Sequence, residues 1–420
     1  MTLSNRYALL IGADLPMRER AVLCTARALG MAVVVLAYPG EVLAQRRRPA
    51  ASLADDYIVS PYLLDPVRAL EAVKDYERKT GLTPAAVIPV NDFVLEAGAA
   101  IARQYAIPFH SDEVILRCRD KLLMKTELSG AGLNVAPTLA VNESVASYIF
   151  KDQEKVIFKP SVFGGSGGVR LVSNSQELQV AIDDAAKLLH KYKDILYIDP
   201  ERIHLEAFLD SELEVSVEVY CRPGECKAAA VTHKQLSPRP FFAEMGHIVP
   251  YAGTDYHALC VTAEKACRAL GIERGVSHVE IKIVNGVPFI IEVGARPAGD
   301  RIIDLVYRSL GVDLYALHAK SYCDIWDDMP LIKHRGTAAV AFLKAAPGRI
   351  TRINPVALPE GVHELSLYKG VGDFSDRDAQ NFETREGHVE WFWPIEHQDT
   401  PDFMFQTARL SADLFEIEQN

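Results

Sequence analysis

No stretch of the 420 residues approaches the ~20 consecutive apolar residues of a membrane-spanning helix. Residues 1–12 lack a cationic region followed by an apolar stretch and a small-residue cleavage site, so the expected location is the cytoplasm, without membrane contact. Cysteine is sparse. Seven are present, an odd number (Cys24, Cys118, Cys221, Cys226, Cys260, Cys267 and Cys323), without the paired short spacing of a zinc or redox site, and reduced thiols are the expectation. Excess positive charge is missing as well. A net charge of −11 disfavours the clustered Lys/Arg footprint that nucleic acid requires. The compact basic run Arg46-Arg47-Arg48, followed by Pro49, reads as a solvated loop. Internal repeats and low-complexity linkers are absent. The first turn, Gly12-Ala13-Asp14, lacks the repeated glycines of a dinucleotide site, which disfavours a nicotinamide oxidoreductase.

What remains is a globular composition, 49% apolar and 24% charged, in a chain long enough for two or three lobes around a cleft. Residues 7–12, 18–30 and 31–37 read strand, helix, strand, and 85–90 and 95–105 continue the alternation, giving a small doubly wound α/β lobe up to about residue 112. Residues 112–132 have helical spacing. A strand at 156–159, a glycine cluster, a helix near 176–191 and a strand at 203–208 suggest a compact lid. Residues 212–220, 228–231 and 277–293 read as antiparallel strands of a larger sheet, and 402–416 as a closing helix.

The strongest local signal is VIFKPSVFGGSGGV at 156–169, in which Lys159 ends an apolar strand and opens a loop holding Gly164, Gly165, Ser166, Gly167 and Gly168. Glycines permit close backbone approach, so N–H groups can surround phosphate oxygens while an ammonium neutralises them. The alternative is a glycine-rich surface turn with an incidental lysine. In residues 277–284, His278, Glu280 and Lys282 alternate with apolar residues, and Glu292 lies on the returning strand. A two-residue Asn285-Gly286 turn would put Glu280 and Glu292 on opposite faces. A three-residue loop over 284–286 would pair Glu280 with Ile290 and His278 with Glu292, bringing both glutamates to one face. The three-residue loop is the prediction, because two carboxylates on one face can hold Mg²⁺; the alternative is a pair of surface glutamates on a hairpin. Arg296, in Gly294-Ala295-Arg296-Pro297, suits a carboxylate or acyl phosphate, or else pairs with Asp300. Phe241-Phe242 reads as core, while Glu244 and His247 fall in a loop.

Lys159 with its glycine loop, HLEAFLDSELEVSVEV at 204–219 and HVEIK…IIEVGARPAGDRI at 278–302 together resemble the ATP-grasp superfamily over about residues 110–305. The resemblance implies an N-terminal α/β domain at 1–112, a linker helix and α+β lid at 113–205, and a catalytic antiparallel-sheet domain with a C-terminal extension at 206–420. It makes Lys121 and Lys159 nucleotide-phosphate lysines. Glu206, Ala207 and Leu209 become the adenine-reading segment, chiefly through backbone, Glu214 the ribose acid, and Glu280 and Glu292 the acids for two Mg²⁺, with Mn²⁺ able to substitute. Many members carry a further metal ligand, Asn, two residues after the second acid; here that residue is Gly294.

More narrowly, HKQLSPRPFFAEMGHIVPY at 233–251 and residues 292–302 are similar to amino-acid ligases of the bacilysin, carnosine and dapdiamide types, which implies dipeptide or antibiotic synthesis. This likeness puts Glu244, His247, Arg296 and Gly299 around the acyl substrate, with Arg296 and Lys159 catalytic. The implied chemistry is ATP-driven activation of a carboxylate as an acyl phosphate, then capture by an amine. The partners are small-molecule carboxylate and amine substrates, and a homodimer is the base-rate assembly. An ATP-grasp ligase activating formate or bicarbonate, and an ATP-binding regulator without turnover, stand as alternatives.

Overall fold

The computed structural model describes residues 5–12, 18–40, 54–140, 155–196, 202–211, 213–396 and 402–418. The basic run at 46–48 and residues 13–14 of the first turn lie outside them. The N-terminal lobe runs β1 (Arg6–Ile11), α1 (Glu19–Leu29), β2 (Ala32–Ala37), β3 (Asp56–Val59), α2 (Pro66–Thr80), β4 (Thr83–Pro89) and α3 (Leu95–Gln104), with parallel strands in the order β3-β2-β1-β4. β1 and β2 are buried along almost their whole length, as befits a sheet covered on both faces. Beyond the C-terminal end of β4 the Asn91 side chain accepts from Phe93 N–H at 2.8 Å and caps a short 3₁₀ turn, Asp92–Val94. Asp92 is thereby presented at the strand ends where open α/β sheets bind ligands.

The helical stretch expected over 112–132 is two helices, α4 (Asp112–Arg119) and α5 (Lys121–Gly130). Asp120 takes an extended conformation between them and accepts from Leu122 N–H and Leu123 N–H, so the side chain that ends one helix caps the next. The lid follows: β5 (Thr138–Ala140), β6 (Val156–Pro160), β7 (Arg170–Val172), α6 (Ser175–Leu196) and β8 (Ile203–Ala207), an antiparallel sheet in the order β5-β8-β6-β7. Leu178, Ala181 and Ala185 of α6 close its core over Val156, Phe158, Val172 and Leu205.

The large sheet is built from β9 (Glu214–Arg222), β10 (Glu225–Leu236), β11 (Glu244–Val249), β12 (Gly275–Val284), β13 (Val287–Gly294), β14 (Gly336–Leu343), β16 (Val362–Leu367) and β18 (Gly387–Pro394), in the order β13-β12-β9-β10-β11-β14-β18-β16. α7 (Tyr256–Leu270), α8 (Ile302–Leu310) and α9 (Leu314–Ser321) pack against it. A small sheet adds β15 (Gly348–Ile353), β17 (Phe374–Ser375) and β19 (Phe415–Glu418). The closing helix α10 (Phe403–Leu414) is shorter than the expected 402–416, because residues 415–418 pair with β15. One face of β9, β10 and β12 is apolar, with Val215, Val217, Val219, Val231, Val279 and Ile281 beneath α7. The other face carries Glu214, Ser216, Glu218, Thr232, Lys234, His278, Glu280 and Lys282, aligned by register, and it lines the cleft below the lid. Period-two alternation thus makes one face core and the other site.

The β12–β13 hairpin corrects the sequence prediction. Asn285 (φ 51°) and Gly286 (φ 78°) form the two-residue turn, pairing Val284 with Val287 and Ile281 with Ile290; left-handed Asn-Gly matches the twist of the flanking strands. The predicted partners of Glu280 and His278 are therefore wrong. A β-bulge then skips Ile291, so Glu280 opposes Glu292 and His278 opposes Gly294. One extra residue restores the parity that the turn alone would forbid, and both glutamates share a face after all.

Candidate active site

Two adjoining clefts lie between the lid, the polar face of the large sheet and the N-terminal lobe. At the lid end, Glu206 of β8 is a buried hub. Its Oε1 lies 2.6 Å from Lys125 Nζ and 3.0 Å from His204 Nε2, and its Oε2 3.0 Å from Lys159 Nζ. Burial alone would raise the Glu206 carboxyl, but Lys159 and Lys125 hold it well below the usual range. Burial pushes the Lys125 ammonium down to about 8 against the pull of Glu206, whereas Lys159, equally opposed by burial, is raised by the same carboxylate. Lys121, first residue of α5, reaches Glu292 Oε1 at 3.0 Å and donates to Phe163 O at 2.7 Å. Lysines from α5 and β6 therefore converge where a polyphosphate is expected.

The glycine loop covers this end. Gly165 sits at φ 63°, and a Cβ there would meet the Phe382 ring at 2.8 Å; at Gly167 it would meet the Phe163 ring at 2.2 Å. Ser166 Oγ donates to Phe242 O at 3.0 Å. Ala207 and Leu209 line the same cleft; Ala207 N–H donates to Pro137 O at 3.0 Å and Leu209 O accepts from Ser211 N–H at 2.9 Å.

The sheet floor has the opposite arrangement. Lys234 of β10, buried, extends its ammonium to Glu244 at 2.5 Å, Glu280 at 2.6 Å and Glu214 at 3.4 Å. Burial works against that charge, and the carboxylates, Glu244 foremost, hold it well above the usual lysine range. His278 joins Glu218 through Nδ1 at 2.7 Å and Glu280 through Nε2 at 3.4 Å, and despite burial Glu218 lifts it to about 9. Glu280 opposite Glu292 gives paired hard oxygen donors on one wall, and this donor set fits Mg²⁺ or Mn²⁺.

Arg296 does not pair with Asp300, the alternative weighed from sequence; its Nε donates to Asp92 Oδ2 at 2.7 Å. Asp300 is held instead by Arg385 at 2.8 and 2.9 Å. Glu244 and His247 are not in a loop but on β11, and His247 is buried with Nε2 3.1 Å from Glu244 and 3.6 Å from Asp300. These three residues offer ligand atoms within 4.8 Å of one another, and Lys234 and Arg385 pair with their two carboxylates. Gly299 lines the larger cleft beside Arg18. Phe241 and Phe242, expected in the core, are half-buried; Phe242 lines the cleft at its lid end and Phe241 lies under the Arg170 guanidinium.

Four participants went unread in the sequence: Asp92, Lys125, Lys234 and Arg385. Lys125 carried a signal, lying four residues after Lys121 on one helix face. Lys234 carried one too, as the polar alternate of an apolar strand. Asp92 and Arg385 reach the site from 204 and 85 residues away from their partners, and local pattern does not reveal them.

This geometry agrees with the comparisons. Residues 153–304 match the ATP-grasp domain family, and the chain carries an ATP-grasp domain. Among its relatives, alanine–anticapsin ligase of Bacillus subtilis is 26% identical over 224 residues, covering 49% of this chain and 47% of that protein. Dapdiamide A synthase of Enterobacter agglomerans is 26% identical over 279 residues, 61% of this chain and 62% of that one. The chain spans 47–64% of the length of the curated relatives it matches. In fold it is similar to an L-amino acid ligase from Bacillus licheniformis, with a TM-score of 0.73, 19% identity and 99% of both chains covered. No helix among the described residues is long and apolar enough to cross a membrane.

Proposed function

We propose that the protein is an ATP-dependent carboxylate–amine ligase that activates an amino acid or related acid as an acyl phosphate and joins it to the amine of a second amino acid. The observation that carries this reading is the pairing of Glu280 with Glu292 beside the Lys121–Lys159–Lys125 cluster, acids for a metal next to cations for phosphate in one cleft. The relatives named for anticapsin and dapdiamide support an amino acid on at least one side, and dipeptide or antibiotic synthesis as the setting.

In the first step a substrate carboxylate oxygen attacks the γ-phosphorus of ATP and the bridging oxygen leaves with ADP. In the second the amine attacks the acyl carbon and phosphate departs, leaving an amide. Carboxylate and ammonium do not condense appreciably in water, and phosphoryl transfer depends on in-line positioning and charge neutralisation. Lys121 and Lys159 hold the phosphates, Arg296 the acyl end, and the glycine loop excludes water. Glu280 and Glu292 are the residues that would hold Mg²⁺, or Mn²⁺ in its place; bound there, the ion supplies Lewis-acid neutralisation of phosphate charge. A cytoplasmic homodimer acting on free small molecules completes the reading.

The test is phosphate release from ATP and Mg²⁺ across a matrix of amino acids and small carboxylic acids, singly and in pairs, with mass spectrometry of products. Release that requires one pair and yields its condensed mass is expected. Release with formate or bicarbonate alone, or ATP binding without turnover on any mixture, would replace this reading with one of its two alternatives.

A further inference from the structure

Arg18 immediately precedes α1 and is buried. Its Nη1 donates to the carbonyls of Val90 and Pro297, the second at 3.5 Å. In the order β3-β2-β1-β4 the winding of the first sheet reverses between β1 and β4. Ala21 and Val22 of α1 belong to the core on one face of that sheet, and Val73 of α2 and Ala97 of α3 to the core on the other. Arg18 follows β1 and reaches the residue just past β4, so its guanidinium spans the crevice where open α/β sheets take their ligands.

Its charge sets it apart from its neighbours. Six arginines and lysines line the larger cleft, and five of them face a carboxylate. Arg119 meets Glu96 at 3.3 Å, Lys121 meets Glu292 at 3.0 Å and Arg296 meets Asp92 at 2.7 Å. Arg301 meets Asp304 at 3.2 Å, and Arg385 meets Asp300 at 2.8 Å. Among the described residues no carboxylate pairs with Arg18, whose bonds are to backbone carbonyls alone. A buried cation without an anion is costly, and a guanidinium carries five donors, of which the backbone engages only those of Nη1. A Cβ at Gly299 would stand 3.4 Å from Arg18 Nη2, so glycine there keeps the approach to the fork open. Arg18 lines the larger cleft only, whereas Arg296 lines both.

We propose that Arg18 binds the free α-carboxylate of the amino acid that supplies the amine. This rests on the reading of the protein as a carboxylate–amine ligase. In that reaction the acyl substrate spends its carboxylate on the acyl phosphate, while the amine substrate keeps its own through both steps and carries it into the product. The second carboxylate needs a cation apart from Arg296 and from the phosphate lysines, and a planar fork suits it. The amine is thereby presented from the N-terminal lobe, and amines that lack a neighbouring carboxylate are disfavoured.

The experiment measures amide formation by wild type, Arg18→Lys and Arg18→Gln, with the twenty common L-amino acids and their primary carboxamides as amines. KM values for ATP and for the acid, and the melting temperature, are taken on each variant. Wild type is expected to prefer the amino acid over its carboxamide by about 100-fold in kcat/KM. Arg18→Gln should raise the KM of the amino acid by a similar factor and leave the carboxamide nearly unchanged, so the preference collapses; Arg18→Lys should keep part of it. Equal losses on amino acid and carboxamide in a folded variant would overturn the proposal and make Arg18 a tether between Val90 and Pro297. A raised KM for the acid, with that of the amine unmoved, would also overturn it and place a side-chain carboxylate of the acyl substrate there. Absence of amide formation by wild type with every amine would remove the parent reading, and this assignment with it.

Discussion

The two walls of the cleft are electrostatic opposites. On the lid side one carboxylate, Glu206, is surrounded by Lys125, Lys159 and His204; on the floor one ammonium, Lys234, is surrounded by Glu214, Glu244 and Glu280. Each hub keeps like charges in place that would otherwise repel one another or neutralise. Each also leaves an excess of one sign facing the cleft, cationic above, where the proposed function puts phosphate, and anionic below, where it puts a divalent ion. A buried charge is tolerated only with partners, and the partners here are the groups that the chemistry needs, so stability and function draw on the same residues.

Breaking this comparison at its functional edge should have the largest effect. Glu292→Ala removes one of the two proposed metal acids from a partly exposed position and should lower ADP formation by about 1000-fold or more, a loss of several kcal/mol of charge neutralisation, with the melting temperature little changed. Near-wild-type turnover in that variant would remove the metal assignment. Next, Lys234→Met strips three carboxylates, Glu214 buried and Glu244 and Glu280 partly buried, of their buried shared partner and should cost about 3–5 kcal/mol in denaturant unfolding; added Mn²⁺ should recover part of it, since a cation can replace a cation. A stability equal to wild type would mean that the floor does not depend on its hub.

Glu206→Gln is the complementary break. It frees Lys159 and Lys125 from their anchor and should raise the KM for ATP about tenfold, equivalent to ~1.4 kcal/mol, while leaving Mn²⁺ affinity at Glu280 and Glu292 intact. Loss of both together would show that the two hubs are a single unit. The smallest effect concerns pH. Lys125 titrates at about 8 in the folded protein, below the ordinary lysine value of about 10.5, so between those values the unfolded chain holds the extra proton and stability rises with pH. Unfolding free energies across that window should show this slope in wild type and a shallower one in Lys125→Met.

What the sequence showed and what it hid differ in range. Alternation along residues 277–284, the glycine run and the strand–helix order of the first lobe are short-range patterns, and they placed the lid, the floor and most of the cleft lining. The bulge at Ile291 has no such signature. The Asn285-Gly286 turn alone gives the wrong parity, and the chain keeps that favoured turn and corrects parity between Glu280 and Ile281, opposite Ile291. The Asp92–Arg296 and Asp300–Arg385 pairs join segments far apart in the chain, which no local window contains.

The measurement that reaches the central claim most directly is isotope transfer. With the substrate acid labelled with ¹⁸O in its carboxylate, the acyl-phosphate route requires that one labelled oxygen leave the acid and appear in the released phosphate, in step with amide formation. Labelled phosphate together with ADP is the predicted result; phosphate carrying no label, or AMP with labelled nucleotide phosphate, would contradict it.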